Sequence, residues 1–168
     1  MNYRILYLIH VILISINGLS QHQNIMIVNV NGPNEPAIAI DPNNTQRMIG
    51  GSNLNFYFYS NDAGHTWQYG VLTSATLGVW GDPVTLIDND GGYYFFHLAN
   101  PASGNWIDRI VCQKSTNGGL TWNEGTYMGL NGTKAQDKEW AIIDRNNGSI
   151  YVTWTQFDQY GSSNPDHR

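Results

Sequence analysis

A single cysteine, few charges and no helical periodicity set the first limits on this 168-residue sequence. Cys112 stands alone, so no disulfide forms within the chain, and stability rests on packing and backbone hydrogen bonds. Its apolar surroundings, Arg109 to Gln113, mark it as a small buried hydrophobe rather than a reactive thiol. Only 12 % of residues are charged, and the eight lysines and arginines are scattered. Without a basic footprint to displace counterions, nucleic acid is excluded as a partner. The apolar run from Ile5 to Ile16 is too short to span a bilayer, which takes about 20 residues. No metal or cofactor is expected: Asp88-Asn89-Asp90-Gly91 begins like a calcium loop but lacks the later ligands.

That same run has the layout of a secretory leader. Arg4 supplies a positive start, and Gly18-Leu19-Ser20 brings small residues to the cleavage spacing. Residues 1–20 are expected to be removed, leaving a secreted or extracytoplasmic chain that does not span the membrane.

The remainder is rich in what strands and turns need: 12 % aromatics and 18 glycines. It also repeats. Ser60-Asn61-Asp62-Ala63-Gly64-His65-Thr66-Trp67 matches Ser115-Thr116-Asn117-Gly118-Gly119-Leu120-Thr121-Trp122, 55 residues later. Upstream of each copy an apolar stretch ends in aspartate, Pro36 to Asp41 and Pro83 to Asp88, and Trp140 to Asp144 begins a third unit. A turn and a second strand follow each time: Arg47 to Asn53, Tyr93 to Ala99, Ser149 to Phe157. Asn55 to Tyr59 and Arg109 to Gln113 supply third strands, and fourth strands follow the two tryptophans. Four-stranded units at a spacing near fifty residues predict an all-β chain of propeller blades. Blade one covers about 35–72 and blade two about 82–127, and blade three starts over 139–168. Two and a half blades cannot close around an axis, so residues 21–168 are expected to form an open arc of a partial propeller.

The pattern Ser-x-Asp-x-Gly-x-Thr-Trp resembles the Asp box, or BNR repeat, of sialidases and sialidase-like secreted propellers. The likeness covers roughly Glu35 to Phe157 and implies a propeller of six four-stranded blades when complete. The box itself reads as structural. Ser60, Asp62, Thr66 and their counterparts Ser115, Asn117, Thr121 hold turn amides; Gly64 and Gly119 take turn conformations; Trp67 and Trp122 bury a ring. Asn117 accepts the same bonds as an aspartate without its charge.

With the boxes on one end, the opposite end carries the loops where sites usually sit: Asn31–Glu35, Thr73–Asp82, Ala99–Asp108, Met128–Glu139 and Phe157–Arg168. The resemblance implies a sialidase arginine ahead of a strand-start proline, yet here stand Asn34-Glu35-Pro36. It also implies an acid/base aspartate in the following loop, where Asn53, Leu54 and Asn55 stand instead. Glu35, Asp82, Asp137 and Glu139 gather at the strand starts with only Lys138 opposing them, which disfavours an anionic sugar. Trp80 and Trp106 are binding candidates, the competing reading being that they plug gaps between blades. Two functions stay open. One is a non-catalytic module that binds an extracellular glycan or protein through these loops, with Trp80, Trp106, Glu35 and Lys138 in contact. The other is a sialidase or related glycoside hydrolase, for which Asp82 with Asp137 or Glu139 is the weak catalytic pairing, against the reading that each carboxylate caps a strand or turn.

Overall fold

A computed structural model describes residues 23–30 and 32–164; the leader expected over residues 1–20 lies outside the described residues. The described chain is all-β and antiparallel, with no helix. Its first sheet runs in sequence order through β1 (Ala37–Ile40), β2 (Met48–Ser52), β3 (Phe56–Ser60) and β4 (Gln68–Val71). A second runs through β5 (Val84–Ile87), β6 (Tyr93–Leu98), β7 (Ile110–Ser115) and β8 (Thr126–Met128). The third pairs β9 (Ala135–Ile143) with β10 (Ile150–Phe157). Among the described residues no sheet closes on itself, and no helix is long and apolar enough to cross a membrane.

Both four-stranded sheets follow the repeat read in the sequence, because each strand carries β-branched or aromatic residues and each connection carries its own turn chemistry. Asp41 closes the first turn by accepting the amides of Asn43 and Asn44 at 2.9 and 3.2 Å. Asp88 does the same for Asp90 and Gly92 at 3.0 and 2.6 Å, and Asp144 for Asn146 at 2.9 Å.

The sheets lie side by side, β1 against β5 and β5 against β9. Between the first two, Ile49, Ile87 and Tyr93 form a core, with Trp122 packed against it. Gly51 allows this approach: a β-carbon there would stand 2.7 Å from the Phe95 ring. Between the second and third sheets, Val84, Phe96, Leu98, Ile107, Ile110, Ala135 and Ala141 make a second core. Each large side chain fully buried there contributes about 1.5–3 kcal/mol.

β9 departs from expectation by starting at Ala135, inside the stretch 128–139 read as loop. Gln136 and Ala135 pair with Gln156 and Phe157, extending the strand through a polar segment without alternating hydrophobicity. Its register then slips: Asp137 faces Thr155 and Trp140 faces Thr153, so Lys138 and Glu139 together oppose Trp154. Such a bulge bends a strand and re-aims its side chains. The fourth strand of the second sheet, β8, starts four positions after Trp122, later than the box alone suggests.

Candidate functional site

The two ends of the sheets differ in chemistry. At the box end, the Ser60 hydroxyl donates to Asp62 Oδ1 at 2.7 Å and accepts the Gly64 amide at 2.9 Å. Asp62 then accepts the Thr66 amide and hydroxyl at 2.9 and 2.6 Å. These bonds, the Thr66 hydroxyl foremost, hold the Asp62 carboxyl down at about 2. The second box repeats the frame: Gly119 N–H donates to Ser115 at 2.9 Å, and Thr121 N–H to Asn117 Oδ1 at 2.9 Å. One bond reverses, since Asn117 Nδ2 now donates to the Thr121 hydroxyl at 2.8 Å. Gly64 and Gly119 have φ of +81° and +89°, the left-handed region glycine favours. Trp67 Nε1 donates to Gly64 O at 3.0 Å. Trp122 meets Tyr57 and Phe95 edge-on at 5.5 and 6.0 Å, across the junction of two sheets. The serine, aspartate or asparagine, and threonine of each box are thus occupied within their own turn.

The same end is laced from sheet to sheet. Asn43 Nδ2 donates to Asn89 O at 2.6 Å, and Asn89 Nδ2 to Arg145 O at 2.7 Å.

At the opposite end, a cavity of about 170 Å³ opens where the three sheets meet. Its walls include Trp80, Trp106 and Tyr160 together with Glu35, Asp82, Asp137, Lys138 and Asn53. Trp106 stands edge-on to both Trp80 and Tyr160, at 5.6 and 5.2 Å, and is 43 % exposed. Trp80 is half-buried against the second core, so it serves as wall and as packing. Lys138 Nζ bridges Asp82 at 2.9 Å and Glu35 at 3.2 Å, which lifts its ammonium to about 12, Asp82 first. Asn53 ties the rim together, donating to Asn34 Oδ1 at 3.0 Å and accepting the Asp82 amide at 2.7 Å.

Glu35, Asp82 and Lys138 occupy one repeated position, six residues before the turn aspartates Asp41, Asp88 and Asp144. All three backbones are left-handed, with φ of 49°, 52° and 51°, a conformation that costs an ordinary residue about 1 kcal/mol or more. The next position is proline in two sheets, Pro36 and Pro83, and Glu139 in the third. Glu139 is 4 % exposed, and neither carboxylate oxygen has a hydrogen-bond partner. Burial first, then Asp82 and Asp137, pushes its carboxyl up to about 8. It borders a second cavity, of about 190 Å³, that shares Glu35, Asp82 and Lys138 with the first.

The structure therefore brings the binding candidates Trp80, Trp106, Glu35 and Lys138 to one place, with Asp82 and Asp137. Glu139 lies beneath them rather than on the cavity wall. Sequence reasoning missed Tyr160 and Asn53. The field of Asp137, above all, raises the Tyr160 hydroxyl, which marks the cavity as electronegative. Among the described residues, no group of three or more His, Cys, Asp or Glu is placed to hold a metal ion.

No protein-family model matches the chain, and no curated protein matches it.

Proposed function

We propose that this chain is a secreted, non-catalytic glycan-binding module, built on a sialidase-like Asp-box propeller of which the three sheets form an arc. The observation that carries the reading is the cavity itself. Three aromatic side chains offer ring faces and edges to a sugar, and carboxylates beside them accept hydroxyl hydrogen bonds. The in-phase boxes and the side-by-side sheets support the propeller part of the proposal.

Sialidase chemistry fits these residues poorly. Asn34 and Asn53 stand where the resemblance implies an arginine and the acid/base loop, and they bond to each other. The excess of carboxylates over Lys138 repels an anionic sugar. One observation favours a different hydrolase: a carboxyl held near 8, as Glu139 is, suits a general acid. Its oxygens are closed off from solvent, however, so the group does not touch a substrate in this arrangement.

The test is a glycan array probed with the chain and with Trp106→Ala, alongside a fluorogenic sialoside assay. Glycan binding that Trp106→Ala removes, without sialoside turnover, is the expected result. Turnover, or binding indifferent to Trp106, contradicts it.

A further inference from the structure

The arc ends in two apolar faces whose counterparts inside it are covered. In the opening strand of each sheet, the first and third residues before the turn aspartate face the preceding sheet, and the second and fourth face the following one. In the second sheet the first pair is Ile87 and Thr85, 0 % and 4 % exposed, and in the third Ala141 is 2 % exposed. Of the other pair, Ala39 and Leu86 pack into the two inter-sheet cores. At the ends the same positions are bare. Ile38 and Ile40 of the first sheet are 59 % and 48 % exposed, and Trp140 and Ile142 of the third are 66 % and 57 % exposed. Tyr151, opposite Ile142 on β10, widens the latter patch. Contiguous exposed apolar surface of this kind marks an interaction site. The two faces are complementary, since one is the side that receives a preceding sheet and the other the side that receives a following one.

We propose that a second copy of this chain covers both faces, the Trp140–Ile142 face of each copy packing on the Ile38–Ile40 face of the other, so that two arcs close one ring. This rests on the propeller part of the reading above and not on its glycan part. The occupant follows from continuity: β1 lies against β5 and β5 against β9, and the next contact in that series is β9 against β1 of the second copy. The strand starts already converge on an axis, because Lys138 Nζ of the third sheet reaches Asp82 of the second at 2.9 Å and Glu35 of the first at 3.2 Å. Closed propellers take about four to eight blades, a range that two three-sheet arcs fall within and that one or three such arcs do not. Head-to-tail contacts whose rotation closes end in a ring rather than a fibre.

The experiment is sedimentation velocity of the full chain at micromolar concentration, of Ile38→Glu, of Trp140→Glu and of an equal mixture of the two variants. The wild type is expected to sediment as a dimer. Each variant puts a charge into both junctions of its own dimer and should raise the dissociation constant about a hundredfold. The mixture should dimerise again, because one junction of the mixed ring joins two unaltered faces. Both sites are exposed in the single chain, so the variants should keep the wild-type circular dichroism; Ile40→Glu and Ile142→Glu repeat the test on the same faces if one does not. A monomeric wild type overturns the second copy and leaves the arc standing. A dimer that survives either variant, or a mixture that stays monomeric, overturns the head-to-tail pairing. Assemblies that grow beyond two copies overturn closure. A dimer that scatters X-rays as an elongated particle rather than a ring overturns closure and the propeller reading with it.

Discussion

The box end and the cavity end of these sheets are built from the same repeated strands, yet they treat polar groups in opposite ways. At the box end, Ser60, Asp62 and Thr66 satisfy one another and the turn amides, and the second copy does so with Asn117. At the cavity end, one repeated position carries Glu35, Asp82 and Lys138 in turn, and the next trades two prolines for a buried carboxyl. Where the repeat is kept, the residues hold the fold. Where it is broken at a fixed position, they leave charge and aromatic rings on the wall of a cavity. Residues that cost stability without a partner are the ones to examine for function.

The largest expected effect lies at the box end. Trp122→Ala removes a ring wedged between Tyr57 and Phe95 and should cost about 3 kcal/mol in denaturant melts. It should leave saccharide affinity unchanged, and an equal loss of binding would break the division between the two ends.

Glu139→Gln should act in the opposite direction. The Glu139 carboxyl sits at about 8 in the folded protein and near 4.5 otherwise. A pKa raised by folding stabilises fully below the unfolded value, and that contribution is lost as pH rises through the folded one. The wild-type chain should therefore lose stability between pH 4.5 and 8, by roughly 3 kcal/mol at pH 7. Glu139→Gln should flatten that slope. Melts at pH 5 and pH 8 decide it; parallel pH profiles of variant and wild type would contradict the assignment.

Trp106→Ala sharpens the comparison from the other side. Its ring is 43 % exposed and meets Trp80 and Tyr160 edge-on, so melting should change little while saccharide affinity falls about tenfold, or about 1.4 kcal/mol. A large drop in melting temperature would make it a plug between sheets. The smallest effect belongs to Asp62→Asn, which the second box already tolerates at Asn117, whereas Asp62→Ala strips the Thr66 bonds and should melt earlier. Equal melting of the two Asp62 variants would show that those bonds contribute nothing.

Much of the fold was legible in the sequence because it repeats: the turn aspartates, the boxes and the first three strands of both full units fall where the pattern puts them. Strand alternation also placed Trp80, Trp106, Asp82 and Lys138 at one end without any contact being known. What stayed hidden depends on relations between sheets. Tyr160 lies in a loop whose length and sequence differ from those after the second strands of the first two units. Asn53 matters because it links Asn34 in one sheet to Asp82 beside the next. The bulge at Lys138 and Glu139 is set by the pairing of β9 with β10, and a polar run such as Ala135 to Glu139 carries no alternation to announce a strand.

The most direct test is an amide NMR titration of the chain with a saccharide that the glycan array returns. The account predicts shift changes confined to Asn53, Asp82, Ile107, Asp137, Lys138 and Tyr160, with residues 60–67 and 115–122 silent. Changes centred on the two boxes, or saturable binding that leaves the cavity residues untouched, would contradict it.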